Sequence, residues 1–210
     1  MLEVKCIDIP SLGENCYLVI NESKHTLIVD PGGLGHQIIQ MIDELELTPQ
    51  AILLTHGHFD HIGAVDQLRS YYEVEVYIHE IEKDFLSQAQ LNLSAPFAGI
   101  TVEQSPPDHL WTEMGPALVG DFSFVMHHIP GHSPGSVAYR FPEDKFILAG
   151  DTLFRGSVGR ADFPGGDMMT LITGIHRELL GLEDDYEVYP GHGPATTIGV
   201  ERARNSFLQL

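Results

Sequence analysis

Apolar residues recur at two spacings along this 210-residue chain, and each change of spacing marks an element. Residues 3–9, 15–20 and 26–29 are short runs rich in Val, Ile, Leu and Tyr, separated by Pro10-Ser11-Leu12-Gly13 and Asn21-Glu22-Ser23-Lys24. Runs of that length between turn-forming residues predict three β-strands in an antiparallel meander. Over 36–46 the apolar positions Ile38, Ile39, Ile42 and Leu45 share one helical face, and Thr48-Pro49 ends the helix. A buried strand over 51–54, a helix over 62–70, a strand over 73–78 and a helix over 80–87 follow. Residues 88–109, with Pro96, Gly99, Pro106 and Pro107, keep no period. They predict a long surface loop, either a rim over a functional site or an unstructured connection. Strands over 122–129, 136–141 and 145–149 lead to a loop over 152–166 and a helix over 167–180 with Met168, Leu171, Ile172, Ile175 and Leu179 on one stripe. A strand over 186–189 and a short helix close the chain. This order predicts an α+β fold of two sheets packed face to face with helices outside, in one domain spanning 1–210.

The pattern acquires chemistry at the ends of its strands. Thr55-His56-Gly57-His58-Phe59-Asp60-His61 follows the strand over 51–54, His132 follows 122–129, Asp151 follows 145–149 and His192 follows 186–189. Ligands gather at the carboxyl ends of strands in layered α/β folds. A single histidine beside a glycine is most often a turn residue, but five histidines and two aspartates at four strand ends predict a metal site. Imidazole and carboxylate donors suit zinc, and also iron or manganese. Seven donors are too many for one tetrahedral ion and suit two ions sharing a bridging carboxylate, an arrangement that activates water.

Charge narrows the partners. The chain has 30 acidic and 11 basic residues, a formal charge of −19, and four positive charges from two divalent ions would still leave −15. Nucleic acid and anionic membrane surfaces are thereby excluded as partners. No stretch approaches the ~18 apolar residues of a membrane span, and Met1–Lys5 opens a strand, not an apolar signal core. With Cys6 and Cys16 read as reduced thiols, the expectation is a cytoplasmic protein, and Cys16 in its apolar run reads as a small buried hydrophobe.

The spacing His56-x-His58-x-Asp60-His61, followed by a separate His, a Gly-Asp and a Gly-His, resembles the motif set of the metallo-β-lactamase-fold superfamily. The resemblance spans residues 30–192 and implies a four-layer αββα sandwich. It implies that His56, His58 and His132 hold one metal, that Asp60, His61 and His192 hold the other, and that Asp151 bridges them. Asp30, in Val29-Asp30-Pro31-Gly32, matches the superfamily's first acidic position, which supports the ligands; a turn-forming role is equally open to it. Gly131-His132-Ser133-Pro134-Gly135-Ser136, Gly150-Asp151-Thr152-Leu153-Phe154 and Pro190-Gly191-His192-Gly193 look like the short, single-domain form of glyoxalase II, the hydroxyacylglutathione hydrolase. That likeness implies cleavage of a small anionic thioester such as S-lactoylglutathione by a hydroxide bridging two divalent metals, zinc first, with Asp60 orienting it.

The chain also departs from that family. It ends 18 residues after His192, without the helical domain that grips glutathione. The Tyr expected after the last metal His is replaced by Gly193-Pro194, and Gly159-Arg160-Ala161-Asp162 stands where Gly-Lys-x-Tyr is expected. Arg155 and Arg160 are local cations in an acidic chain, suited to an anionic substrate or to structural ion pairs. The competing resemblance is to persulfide dioxygenases, which would place a single iron on His56, His132 and Asp151.

Overall fold

Glu14–Ile20, β2, is buried at all seven of its positions, as a run with little polar alternation requires of a central strand. In the computed structural model, which describes residues 1–209, it pairs antiparallel with β1 (Glu3–Ile9) and β3 (His25–Val29), giving the expected meander. Helix α1 (Gly35–Glu44) then returns the chain to β4 (Thr48–Leu53), which lies parallel to β3. Short helices α2 (Phe59–Ile62) and α3 (Val65–Tyr72) lead to β5 (Glu75–His79), parallel to β4, and β6 (His109–Trp111) completes the sheet in the order β1-β2-β3-β4-β5-β6. Ile38 and Ile42 of α1 and Val65 and Leu68 of α3 pack on Ile28, Ile52, Val76 and Ile78 of the sheet. Each such side chain contributes about 1.5–3 kcal/mol by leaving water.

The register of this sheet positions the first half of the site. Val29 pairs with Leu53, so the carboxyl ends of the parallel strands β3 and β4 lie side by side. Asp30 and Thr55, just past those ends, are therefore neighbours although 25 residues apart.

A second sheet is built from β7 (Gly115–Val119), β8 (Phe122–His128), β9 (Val137–Phe141), β10 (Phe146–Gly150), β13 (Glu187–Pro190) and β14 (Thr196–Thr197), in the order β14-β13-β10-β9-β8-β7. A hairpin, β11 (Leu153–Phe154) with β12 (Ser157–Val158), lies between β10 and α4 (Met168–Glu178), and α5 (Ile198–Arg204) follows β14. Asp167 caps α4 by accepting the Thr170 N–H at 2.7 Å. Leu171, Ile172 and Ile175 of its predicted stripe are buried against Ala138, Ile147 and Val188. The described residues divide into two compact units, Met1–Thr112 with Leu118–Phe122, and Glu113–Ala117 with the residues from Ser123 on. Among them no helix is long and apolar enough to cross a membrane.

Several local features are not set by the sequence pattern. The helix expected over 62–70 is broken between Ile62 and Val65, with Ala64 out of helical geometry at φ −106°, and Gly63 is required there because a Cβ would lie 2.3 Å from the Gly32 carbonyl oxygen. The helix expected over 80–87 is a single tight turn, Glu80–Glu82, capped by His79 accepting the Ile81 N–H. The stretch 88–109 is an ordered loop. Buried Asn92 donates its side-chain amide to the Phe85 and Val102 carbonyls at 3.0 and 2.7 Å, and Ser94–Ala98 forms one wide helical turn.

Candidate metal centre

In the N-terminal unit Asp30 is the hub. Its carboxylate accepts the Thr55 N–H at 2.7 Å and the Thr55 O–H at 2.5 Å. Its Oδ2 also lies 3.1 Å from His61 Nδ1. A carboxylate only accepts, so His61 carries its proton on Nδ1 and its lone pair on Nε2. Thr55 has given its one proton to Asp30, so at 3.1 Å its oxygen accepts from His56 Nδ1. His56 is thereby set in the same tautomer. One carboxylate thus orients two imidazoles, directly and through a hydroxyl, with Nε2 of each presented as donor. Asp30, His56 and His61 are buried and their donor atoms fall within 4.8 Å of one another, close enough to share an ion or to support its ligands.

The rings of the turn are packed together. The His56 centroid lies 4.6 Å from that of His58 and 4.2 Å from that of His61, and His58 stacks on Phe85. Asp60, half-buried at the start of α2, has Oδ2 4.0 Å from His61 Nε2. Fully buried Glu82 accepts the Gly57 N–H at 2.5 Å, and the Asn92 carbonyl accepts the Phe59 N–H at 2.9 Å, so the turn is clasped from beyond its own strand. Gly32 is required by close approach: a Cβ there would sit 1.6 Å from the Asp60 carbonyl oxygen.

In the C-terminal unit, parallel strands β10 and β13 end side by side at Gly150 and Pro190, which places Asp151 next to His192. Asp151 Oδ2 lies 3.5 Å from His192 Nε2 and 3.4 Å from His132 Nε2, between the two rings. His132 Nδ1 is 2.7 Å from the Arg160 carbonyl oxygen, an acceptor, so its lone pair also lies on Nε2. Gly159 is needed beside it, because a Cβ would lie 1.9 Å from the Asp151 carbonyl oxygen and 3.2 Å from the His132 Cβ.

The two arginines have separated fates. The Arg160 guanidinium forks onto Asp162 at 2.6 and 2.8 Å and lies over the Phe163 ring, and it holds the Asp162 carboxyl below its usual range. Arg160 thus reaches the site through its carbonyl. Arg155, at the tip of the β11–β12 hairpin, is exposed and lines a cavity with Glu187 and Tyr189. Cys16 is buried, which pushes its thiol well above its ordinary value, and both cysteines are unbonded. Glu82 escaped the sequence reading because Glu80-Ile81-Glu82 reads as a solvated run, and a backbone acceptor such as the Arg160 carbonyl leaves no trace in residue type.

These donors fit divalent metals. The side chains are nitrogen and oxygen donors, and three of the five histidines are set with Nε2 as donor by acceptors at Nδ1.

Comparison with known proteins agrees. The sequence model described as Metallo-beta-lactamase superfamily matches residues 10–192. The chain is 46% identical over 194 residues to the probable metallo-hydrolase YqgX of Bacillus subtilis, covering 92% of each chain. It is 38% identical over 208 residues to the hydroxyacylglutathione hydrolase GloC of Haemophilus influenzae, covering 99% of this chain and 98% of that one. Among solved structures, BLEG-1 B3 metallo-beta-lactamase superposes with a TM-score of 0.97 at 42% identity, covering 99% of this chain and all 100% of that one. TTHA1623 in a di-iron-bound form superposes with a TM-score of 0.87 at 39% identity, covering 97% of this chain and 100% of that one.

Proposed function

The chain belongs to the metallo-beta-lactamase superfamily and is a metal-dependent hydrolase, and from that premise we propose that it cleaves a small anionic thioester of the hydroxyacylglutathione class. The observation that carries the reading is the tautomer setting at His56, His61 and His132, which readies each ring as a metal donor through Asp30, Thr55 and the Arg160 carbonyl. The thioester is supported by the relative named as a hydroxyacylglutathione hydrolase, matched over nearly the whole of both chains.

In this reading His56, His58 and His132 would hold one ion, Asp60, His61 and His192 the other, and Asp151 would serve both. When bound, two divalent ions lower the pKa of a water towards ~7 and polarise the scissile carbonyl. The chain's own residues supply the rest. Asp30, through Thr55 and directly, keeps the His56 and His61 rings from turning. The Asp60 carboxylate accepts a hydrogen bond from the attacking water and orients it.

Metal analysis of the purified protein, paired with turnover of S-lactoylglutathione, of glutathione persulfide and of a β-lactam, tests the proposal. About two ions per chain and oxygen-independent thioester cleavage are expected. One iron per chain with oxygen consumption on the persulfide, or β-lactam turnover exceeding thioester turnover, overturns it.

A further inference from the structure

Arg155 and Glu187 carry opposite charges, line one cavity of about 340 Å³ in the C-terminal unit, and do not pair with each other. Of the chain's 11 basic residues, most are spent on ion pairs: Lys5 on Glu3, Lys24 on Glu46, Arg69 on Asp108, Lys145 on Glu183 and Asp185, Arg160 on Asp162, Arg202 on Asp184. Arg155 makes no ion pair or side-chain hydrogen bond among the described residues. Glu187 accepts the Tyr189 O–H on Oε2, and no described cation pairs with it. Thr197 gives the wall a hydroxyl and Val200 an apolar surface.

The walls are held from behind by one buried carboxylate. Glu201 accepts the Gly156 N–H at 2.8 Å, fixing the hairpin tip that displays Arg155, and the Thr196 O–H at 2.6 Å, fixing the opposite strand. Asn205 adds a bond to the Ser157 carbonyl at 2.9 Å. An unpaired cation and an unpaired anion held apart on anchored walls present both halves of a zwitterion receptor. The Arg fork takes a carboxylate and the Glu oxygen takes an ammonium.

Two of the lining residues lie close along the chain to residues at His192. Phe154, next to Arg155, meets the His192 ring edge-on at 6.1 Å between centroids. Tyr189 is three residues before His192, a reach of at most about 11 Å. We propose that this cavity is a carrier subsite that binds the α-amino-acid zwitterion of a peptide thiol, Arg155 holding its carboxylate and Glu187 its ammonium. This deepens the thioester reading above and rests on it for the carrier being a thiol.

The test is calorimetric titration of the metal-loaded protein with S-methylglutathione, which has no thioester and no free thiol, and with its N-acetyl derivative, which has no ammonium. The wild type is expected to bind the first ~10-fold more tightly, Glu187→Gln to erase that preference, and Arg155→Gln to weaken both ligands ~10-fold. Both side chains are exposed, so the variants keep the wild-type Tm. Absence of binding, equal affinity for the two ligands, or unaltered affinity in both variants overturns the subsite. Parallel turnover of S-lactoylglutathione separates the two claims: hydrolysis without an ammonium preference sinks the subsite alone, and an ammonium preference without hydrolysis sinks the thioester reading alone.

Discussion

At the scale of single residues, Asp30 does the most with the least exposure. It sits at φ 49°, a left-handed conformation that aspartate tolerates better than most residues, and so turns its carboxylate back onto Thr55 and His61. Asp30→Asn replaces an acceptor oxygen by a donor and disturbs both rings. It is expected to lower metal affinity by about 10–100-fold, read as metal retained per chain after dialysis against a chelator. Arg160→Ala is the contrasting case. His132 is held by the Arg160 carbonyl, which any residue supplies, so metal affinity changes by less than about threefold. Gly159→Ala forces a Cβ to within 1.9 Å of the Asp151 carbonyl oxygen. A loss of roughly 1–3 kcal/mol follows, read by urea unfolding.

At the scale of elements, α4 is tied to β8 by Glu178, whose carboxylate accepts from His127 Nδ1 at 2.8 Å and from Arg177 at 2.5 Å. Burial pushes the Glu178 carboxyl up, but the hydrogen bonds from His127 and Arg177 outweigh it and hold it below its ordinary 4.5. A carboxyl lowered by folding stabilises the fold fully above its unfolded value and loses that contribution as pH falls through its folded value. Urea unfolding of the wild type and Glu178→Gln is therefore expected to differ by about 1 kcal/mol at pH 7, and the difference is expected to shrink as pH falls below 4.5 and through the lowered folded value. Much of this level was legible beforehand. The meander, α1, β4, α4 and β13 announced themselves through uninterrupted apolar runs or a clean helical stripe, and each metal-competent residue falls just past a strand end. What escaped was decided by contacts far apart in sequence. Strand β6, His109–Trp111, is too short to show a period and exists by pairing with β5. Strand β7 opens on Gly115-Pro116, which reads as a turn. Gly63 looks like an ordinary helix interruption until Gly32 is seen against it.

At the scale of the whole molecule, the formal charge of −19 repels any anionic substrate at long range. Salt screens that repulsion, with a Debye length of about 10 Å at 0.1 M. The kcat/KM for S-lactoylglutathione is expected to rise between ~10 and ~200 mM salt, the reverse of a positively steered enzyme, and a falling profile would refute net repulsion. The shared hub at Asp30 also bears on how the two proposed ions bind. His56 and His61 are assigned to different ions yet lean on one carboxylate, so ordering it for one ion prepares it for the other. The two affinities are then linked by a coupling free energy that each ion exerts equally on the other. A chelator should strip such a centre in one cooperative step, and Asp30→Asn should split that step in two.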